Sequence, residues 1–483
     1  MRLLLSILFL ISLNTFAQNP PKPYGALPSQ RQLAWHDIEI YGIMHFTPTT
    51  FEDKEWGFGD ADPKIFNPTD FNATQIIKAA KAGGLKGIVL VAKHHDGFAL
   101  WPTQTTVYNI TKSPFRNGKG DLVKEVEQAV RKNGLKFGVY CSPWDRNNAL
   151  YGTDKYLAIY QSQLKELYSN YGELFMSWHD GANGGDGFYG GAREKRSIDN
   201  TTYYDWKNTW GITRKMQPMA NIFSDIGLDV RWVGNEEGHA AKTSWATFTP
   251  MAPDGINEAV PGQANYPQSP EGIRNGKFWM PAECDVPLRQ GWFYHPKEKP
   301  KTPEMLFDLY LKSVGRGAGL DLGLAPDPRG QLHDDDVAAL KGFGDMVRNT
   351  FATNLAKNAR IKASNVRGKK FNQSLLIDGN KQSYWATSDD IHSANLELDL
   401  KAKQTFDIIS LREFIPLGQR IEAYNIEIFE NNRWKKIFNG TSIGAKRLIK
   451  LNQPVSTNKV RINITKSPVC ITLSEIGLYM KAS

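Results

Sequence analysis

Cysteine is nearly absent. The 483 residues hold three, Cys141, Cys284 and Cys470, an odd number at spacings that build neither a disulfide framework nor a zinc cluster. No H-E-x-x-H or other dense metal-ligand signature occurs, and no G-x-G-x-x-G opens a first helix. The net charge of +9 is spread along the chain without a run of five or six Lys or Arg. A scattered excess fits a solvated surface better than a nucleic-acid groove. Beyond residue 17, no apolar run approaches the roughly 20 residues that span a bilayer, so no transmembrane anchor is expected. Internal repeats and low-complexity segments are also missing.

The N-terminus has the plan of an export signal. Met1-Arg2 is a short positive start, residues 3–13 are apolar, and Thr15-Phe16-Ala17 offers a small-residue cleavage site. Asn19-Pro20-Pro21-Lys22-Pro23 then blocks helix continuation. We expect a signal peptide over 1–17 and an exported protein, in a bacterial periplasm or at the cell surface. No cysteine follows the cleavage point to carry a lipid.

With 41% hydrophobic residues, a chain of this length is expected to hold more than one domain, because single cores rarely grow past roughly 250–300 residues. Strand-like runs at 41–46, 87–93, 136–142, 174–180, 220–225, 230–234, 278–283 and 319–325 alternate with helical patterns at 71–82, 122–132, 156–168 and 303–314. About eight strands with crossover helices predict an α/β fold, a (β/α)8-like barrel over 18–352. Residues 250–276, rich in Pro, Gly and Asn, read as an excursion at its mouth. After Thr353, seven strand-like runs (396–400, 406–414, 423–429, 434–438, 447–451, 459–464 and 471–478) replace helices, predicting an all-β sandwich over 353–483.

Polar clusters stand where the barrel strands end. His45-Phe46 leads to Glu55-Trp56-Gly57. The second run ends in His94-His95-Asp96, the third in Tyr140-Cys141-Ser142, and the fourth in Trp178-His179-Asp180-Gly181. Later come Arg231-Trp232-Val233-Gly234-Asn235-Glu236-Glu237 and Glu283-Cys284-Asp285. Parallel barrel strands bring such ends to one face. Carboxylates beside aromatic rings suit sugar cleavage, one acid protonating the leaving oxygen while a second attacks or stabilises the oxocarbenium-like centre. Tryptophan is abundant, 13 in all; of Trp56, Trp101, Trp144, Trp178, Trp232 and Trp292, at least half are expected to stack on sugars. A zinc site from the His94-His95 pair with His45, His179 and Asp180 is the weaker reading. Neighbouring strand residues face opposite ways, so only one of His94 and His95 should enter the lumen unless the strand bends at its end.

These motifs also resemble a known family. His45-Phe46, Thr50-Phe51, Glu55-Trp56-Gly57, His94-His95-Asp96-Gly97-Phe98, Trp178-x-Asp180-Gly181 and Gly291-Trp292-Phe293-Tyr294-His295 resemble, in order, the α-L-fucosidases of glycoside hydrolase family 29. The resemblance covers residues 30–351. It implies a barrel, retention of configuration, Asp180 as nucleophile and fucosylated oligosaccharides or glycoconjugates as substrates. Residues 230–236 look like the branch acting on α-1,3 and α-1,4 linkages of branched, Lewis-type glycans, in which the Glu of Gly-Asn-Glu is the acid/base. That position is Glu236, ranked ahead of Glu283 and Glu237. Residues 284–290 depart from the family's usual Asp-Val-Ser-Ile-Arg-Pro run.

The substrate-binding residues implied are His45, Glu55, Trp56, His94, His95, Tyr140, Trp178, Arg231, Glu283 and Trp292. Trp56, Trp292 and Phe46 are candidates for the fucose methyl. No cofactor is required. The C-terminal segment Leu376-Ile377-Asp378-Gly379-Asn380, with Ser383-Tyr384-Trp385-Ala386-Thr387, looks like a discoidin-type (F5/8 type C) sandwich, a fold shared with carbohydrate-binding module family 32. That likeness allows glycan binding and a structural calcium with Asp378 or Asp399. The other readings are a broad α-L-fucosidase, an exo-glycosidase for another sugar, and a glycan-binding protein without turnover. The sequence does not specify an oligomeric state.

Overall fold

The computed structural model describes residues 19–223, 228–263 and 267–482; the expected signal peptide lies outside the described residues. Eight strands, β1 Ile40–Met44, β2 Gly87–Lys93, β3 Lys136–Cys141, β4 Met176–Trp178, β5 Asn221–Phe223, β6 Arg231–Trp232, β7 Ala282–Pro287 and β8 Gly319–Leu324, make one sheet in the order β5-β4-β3-β2-β1-β8-β7-β6. Every pairing is parallel. A single parallel bridge, Phe223 to Val230, joins the two ends into a nearly closed barrel.

β1, β2 and β8 are buried at every position. Parallel strands covered on both faces read as unbroken apolar runs, which makes them the easiest to find in the sequence. The helices are α1 Gln30–Ile38, α2 Ala73–Ala82, α3 Leu122–Lys132, α4 Asp154–Asn170, α5 Trp206–Met216, α6 Pro303–Lys312 and α7 Asp334–Phe351. Asn72 caps α2 by accepting the Gln75 N–H, so the helix starts two residues later than the pattern at 71–82 suggests. Asp121 caps α3 through the Lys124 N–H.

The strand expected over 278–283 is two separate pieces. Phe278–Trp279 pairs antiparallel with Thr247–Phe248 outside the barrel, and the barrel strand β7 begins at Ala282. Pro281 falls at the break. It has no N–H to give a ladder, while its carbonyl accepts from the Arg231 amide. Glu283, Cys284 and Asp285 are therefore the buried interior of β7 and not a loop at its mouth.

The C-terminal domain has the strands β9 Arg360–Ala363, β10 Trp385–Ala386, β11 Ala394–Glu413, β12 Ala423–Glu430, β13 Arg433–Gly440, β14 Arg447–Lys466 and β15 Thr472–Tyr479. Four of the expected short runs fuse into β11 and β14. Each of these long strands changes neighbours halfway: the first part of β11 pairs with β9 and the last part of β14, and its second part pairs with the first part of β14 and with β15. The register breaks between Asp399 and Gln404. This crossing folds one antiparallel sheet into two layers around a core that includes Trp385, Leu398, Ile426, Ile462 and Ile476.

The two domains are joined by specific contacts. Glu39, after α1, accepts hydrogen bonds from Arg412 at 2.7 Å and Lys446 at 3.0 Å. The segment that follows Glu236 is tied to the sandwich as well. The Thr243 and Thr441 hydroxyls lie 2.8 Å apart, the Ser244 amide donates to Ser442 Oγ at 2.9 Å, and Gln419 makes two bonds, to the Ala246 amide and the Ser244 carbonyl.

Candidate active site

The C-terminal ends of the barrel strands surround a cavity of about 390 Å³. Ten residues singled out from the sequence line it: His45, Glu55, Trp56, His94, His95, Tyr140, Trp178, Asp180, Glu236 and Trp292. Ile43, Ala182 and Asp285 complete the wall.

Asp180 follows β4 directly. Its Oδ1 accepts the Ala182 amide at 2.7 Å and its Oδ2 accepts the Tyr140 hydroxyl at 3.1 Å. Burial pushes its pKa up to about 6, against the pull of these two donors. His95 Nε2 stands 3.8 Å from Oδ1, and His95 Nδ1 pairs with Ser142 Oγ at 2.7 Å. Burial lowers His45 and His95 to about 3 and His94 well below its usual value, with neighbouring positive groups adding to the effect. All three rings are therefore neutral at ordinary pH. The buried Nδ1 of His45 and of His94 has no hydrogen-bond partner among the described residues.

Both His94 and His95 enter the cavity because β2 stops at Lys93. The chain then turns, with the Gly97 amide bonded to the His94 carbonyl and Gly97 at φ 82°. The strict alternation of a strand no longer applies there.

Glu55 is held by the 291–295 loop. It accepts from the amides of Trp292 and Phe293 and from His295 Nε2 at 2.8 Å. A Cβ at Gly291 would meet the Glu55 carboxylate at 2.0 Å, so glycine is required for this approach. Trp56 is 51% exposed at the rim and meets His95 edge-on, ring centroids 5.1 Å apart. Glu236 sits in a turn after β6, and Trp292 gives its side chain a hydrogen bond. Burial, then the charges of Asp180 and Glu55, raise the Glu236 pKa despite that bond. Glu237 points away, exposed and 3.7 Å from His239.

Two expected contacts are corrected. Glu283 is fully buried beneath the cavity, accepting from the Trp178 indole at 2.8 Å and from the Tyr41 hydroxyl. It positions Trp178 from below. Arg231 is buried too, and its guanidinium donates to the carbonyls of Ser269 and Trp245 at 3.0 Å and of Met280. It braces the loops and does not line the cavity.

Phe46 packs among Phe51, Phe66 and Phe71, away from any sugar methyl. Of the six tryptophans, Trp56, Trp178 and Trp292 face the cavity. Trp101 and Trp144 are core residues whose indoles bond Glu166 and Tyr189. His179 is buried between Tyr160 and Ser177. Asp378 takes the Asn380 amide and the Ser383 hydroxyl, and Asp399 the Lys401 amide. Among the described residues, no group of three or more His, Cys, Asp or Glu is placed to hold a metal ion.

Asp285, which the sequence placed in a polar cluster but not among the site residues, lines the cavity with Ile43 and Ala182. The Trp232 indole donates to it at 2.7 Å. Burial, then the charges of Glu236 and Asp180, push its pKa up to about 8. A carboxyl protonated in the fold but ionised in the unfolded chain weakens the fold as pH rises from its unfolded pKa to its folded one. Asp285→Asn should therefore leave the thermal midpoint nearly unchanged at pH 4. The stabilisation should grow to about 2 kcal/mol or more by pH 8 and stay level above. Thermal unfolding of both proteins across that range checks it, and an advantage that shrinks with pH would refute it.

A parallel barrel that gathers carboxyls, imidazoles and indoles at its C-terminal mouth, around a cavity of monosaccharide scale, defines a glycoside hydrolase. The family model Alpha-L-fucosidase matches residues 26–350, and the F5/8 type C domain model matches 360–476. Alpha-L-fucosidase 1 of Arabidopsis thaliana is 38% identical over 467 residues, 95% of this chain and 88% of its own. The crystal structure of SpGH29 superposes with a TM-score of 0.87 at 36% identity, covering 96% of this chain and 100% of that one. A Ruminococcus gnavus GH29 fucosidase in complex with fucose gives 0.85 at 30%, covering 97% and 98%. The chain belongs to the α-L-fucosidase family, glycoside hydrolase family 29, and carries an F5/8 type C domain.

Proposed function

We propose that this α-L-fucosidase is an exported, retaining exo-enzyme that removes terminal α-1,3- and α-1,4-linked fucose from branched, Lewis-type glycans. The observation that carries the chemistry is the shared cavity of Asp180 and Glu236, in which Asp180 is fixed by Tyr140 and Ala182, and Glu236 by Trp292. Ionised Asp180 attacks the anomeric carbon while protonated Glu236 gives its proton to the departing oxygen. Glu236 then takes a proton from water, which displaces Asp180 and releases fucose with its α configuration retained. His45, His94, His95, Glu55 and Tyr140 would hold the hydroxyls, and Trp56 and Trp292 the methyl side. The two carboxyls supply this chemistry without a cofactor. The linkage class rests on Gly234-Asn235-Glu236, and export to the periplasm or surface on residues 1–17.

Turnover should follow a bell-shaped pH curve. The acid limb rises near pH 6 as Asp180 ionises, and the alkaline limb falls as Glu236 loses its proton. Because the groups interact, both limbs report the pair. A rate that declines steadily from pH 4 to 7 would contradict these assignments.

Linkage is tested by free-fucose release from Lewis a and Lewis x trisaccharides beside 2'-fucosyllactose. We expect release from the first two and at least about tenfold less from the third, which corresponds to roughly 1.4 kcal/mol in the transition state. Equal rates on all three would replace the linkage class with a broad fucosidase.

A further inference from the structure

We propose that the cleft between the barrel and the C-terminal domain is a second binding site, one that takes a sulfate or phosphate ester carried on a saccharide. The cleft measures about 520 Å³, within the roughly 300–1,000 Å³ of small-molecule sites. It shares no lining residue with the catalytic cavity.

Five cations line it, Lys242, Lys312 and Arg316 on the barrel side and Arg447 and Lys450 on the sandwich side, against one acid, Asp308. Two of the five are neutralised, Lys312 by Asp308 and Lys450 by Asp407, each at 2.7 Å. The other three have no carboxylate partner among the described residues. Arg316 donates to the Ala240 carbonyl, and Arg447 to the carbonyl and hydroxyl of Ser442. Arg447 is only 6% exposed, and burial and then the nearby Arg316 charge depress its pKa. The one acid of the cleft, Asp308, acts on Arg316 but is already paired with Lys312, which leaves an excess of positive charge that an anion would offset, and planar guanidinium donors match a tetrahedral oxyanion.

The remaining wall suits a sugar. The buried Tyr424 hydroxyl has no hydrogen-bond partner among the described residues. It lies against Gly440, where a Cβ would come within 2.5 Å of it. Phe438, its ring 6.1 Å from that of Tyr424, is half-buried and adds an apolar face. Anionic group and ring face together point to a charged saccharide rather than a free ion.

The test is calorimetric titration of the full chain, with fucose saturating the catalytic cavity. The probes are galactose 6-sulfate, galactose 6-phosphate, galactose and inorganic sulfate. We expect one or both esters to bind at least about tenfold more tightly than inorganic sulfate, and galactose not to bind. The double variant Lys242→Gln, Arg316→Gln should weaken ester binding about tenfold or more, as loss of charge-assisted hydrogen bonds does, with its circular dichroism unchanged. Neither side chain is buried, so this pair carries the test; Arg447→Gln should weaken binding further. Absence of ester binding, or unchanged affinity in the double variant, overturns the site. Equal affinity for inorganic sulfate overturns its saccharide part.

Discussion

Asp180→Gly should lose about 10⁴-fold or more of its turnover of an aryl α-L-fucoside, as removal of a covalent nucleophile does. The fold should survive, because Asp180 sits beyond the end of β4 and its hydrogen bonds among the described residues are to Tyr140 and the Ala182 amide, with His95 3.8 Å away. In the proposed mechanism, the space left by the carboxylate opens on the β side of the anomeric carbon. Azide should therefore restore part of the rate and yield β-fucosyl azide. Glu236→Gln should lose about 10²- to 10⁴-fold on substrates with poor leaving groups. Azide then acts on the fucosyl-enzyme and yields the α anomer. Proton NMR of the two azide products separates the roles, and α-fucosyl azide from Asp180→Gly would sink the nucleophile assignment.

Arg231→Met is expected to cost about 3–5 kcal/mol of stability, since it leaves three buried carbonyls without a donor. Those carbonyls belong to Trp245, Ser269 and Met280, so a single side chain ties together the long excursion and the approach to β7. Burial already draws the Arg231 pKa down to about 9, and the ring of Phe248 lies 5.0 Å from its guanidinium carbon. The thermal midpoint should fall by about 6–10 °C. Affinity for fucose should change far less, because Arg231 does not line the cavity. A variant as stable as the wild type with much weaker fucose binding would return Arg231 to the substrate.

Most of the cavity was legible because its residues stand one or two places past apolar runs that could only be buried strands. His45, His94 and Asp180 follow β1, β2 and β4 in this way. The misreadings share a physical origin. Acids and arginines are rarely buried, so a polar cluster is taken for a strand end. In β7 that rule fails. Glu283 is buried with indole and phenol donors, and Asp285 stays protonated beside Glu236, so the real strand ran through the segment that looked like its mouth. Arg231 likewise looked like a rim cation, yet it serves three backbone carbonyls. Helices α1, α5 and α7 were not located, and the C-terminal strands were cut where β11 and β14 change partners. That exchange is set by tertiary pairing and leaves no local mark.

The hydrogen bonds between Thr441, Ser442 and Gln419 and residues 243–246 tie the C-terminal domain to the segment that carries Glu236. The chain between β6 and these anchors includes Glu236, so the proposed proton donor is held by the barrel at one end and by the sandwich at the other. A fragment ending at residue 352 would retain Asp180 and the cavity histidines, yet Glu236 would hang from a strand two residues long. By these contacts the appended domain is a structural partner of the barrel mouth. Exchanging it for another domain would require regrafting the anchors for Ser244 and Ala246 as well.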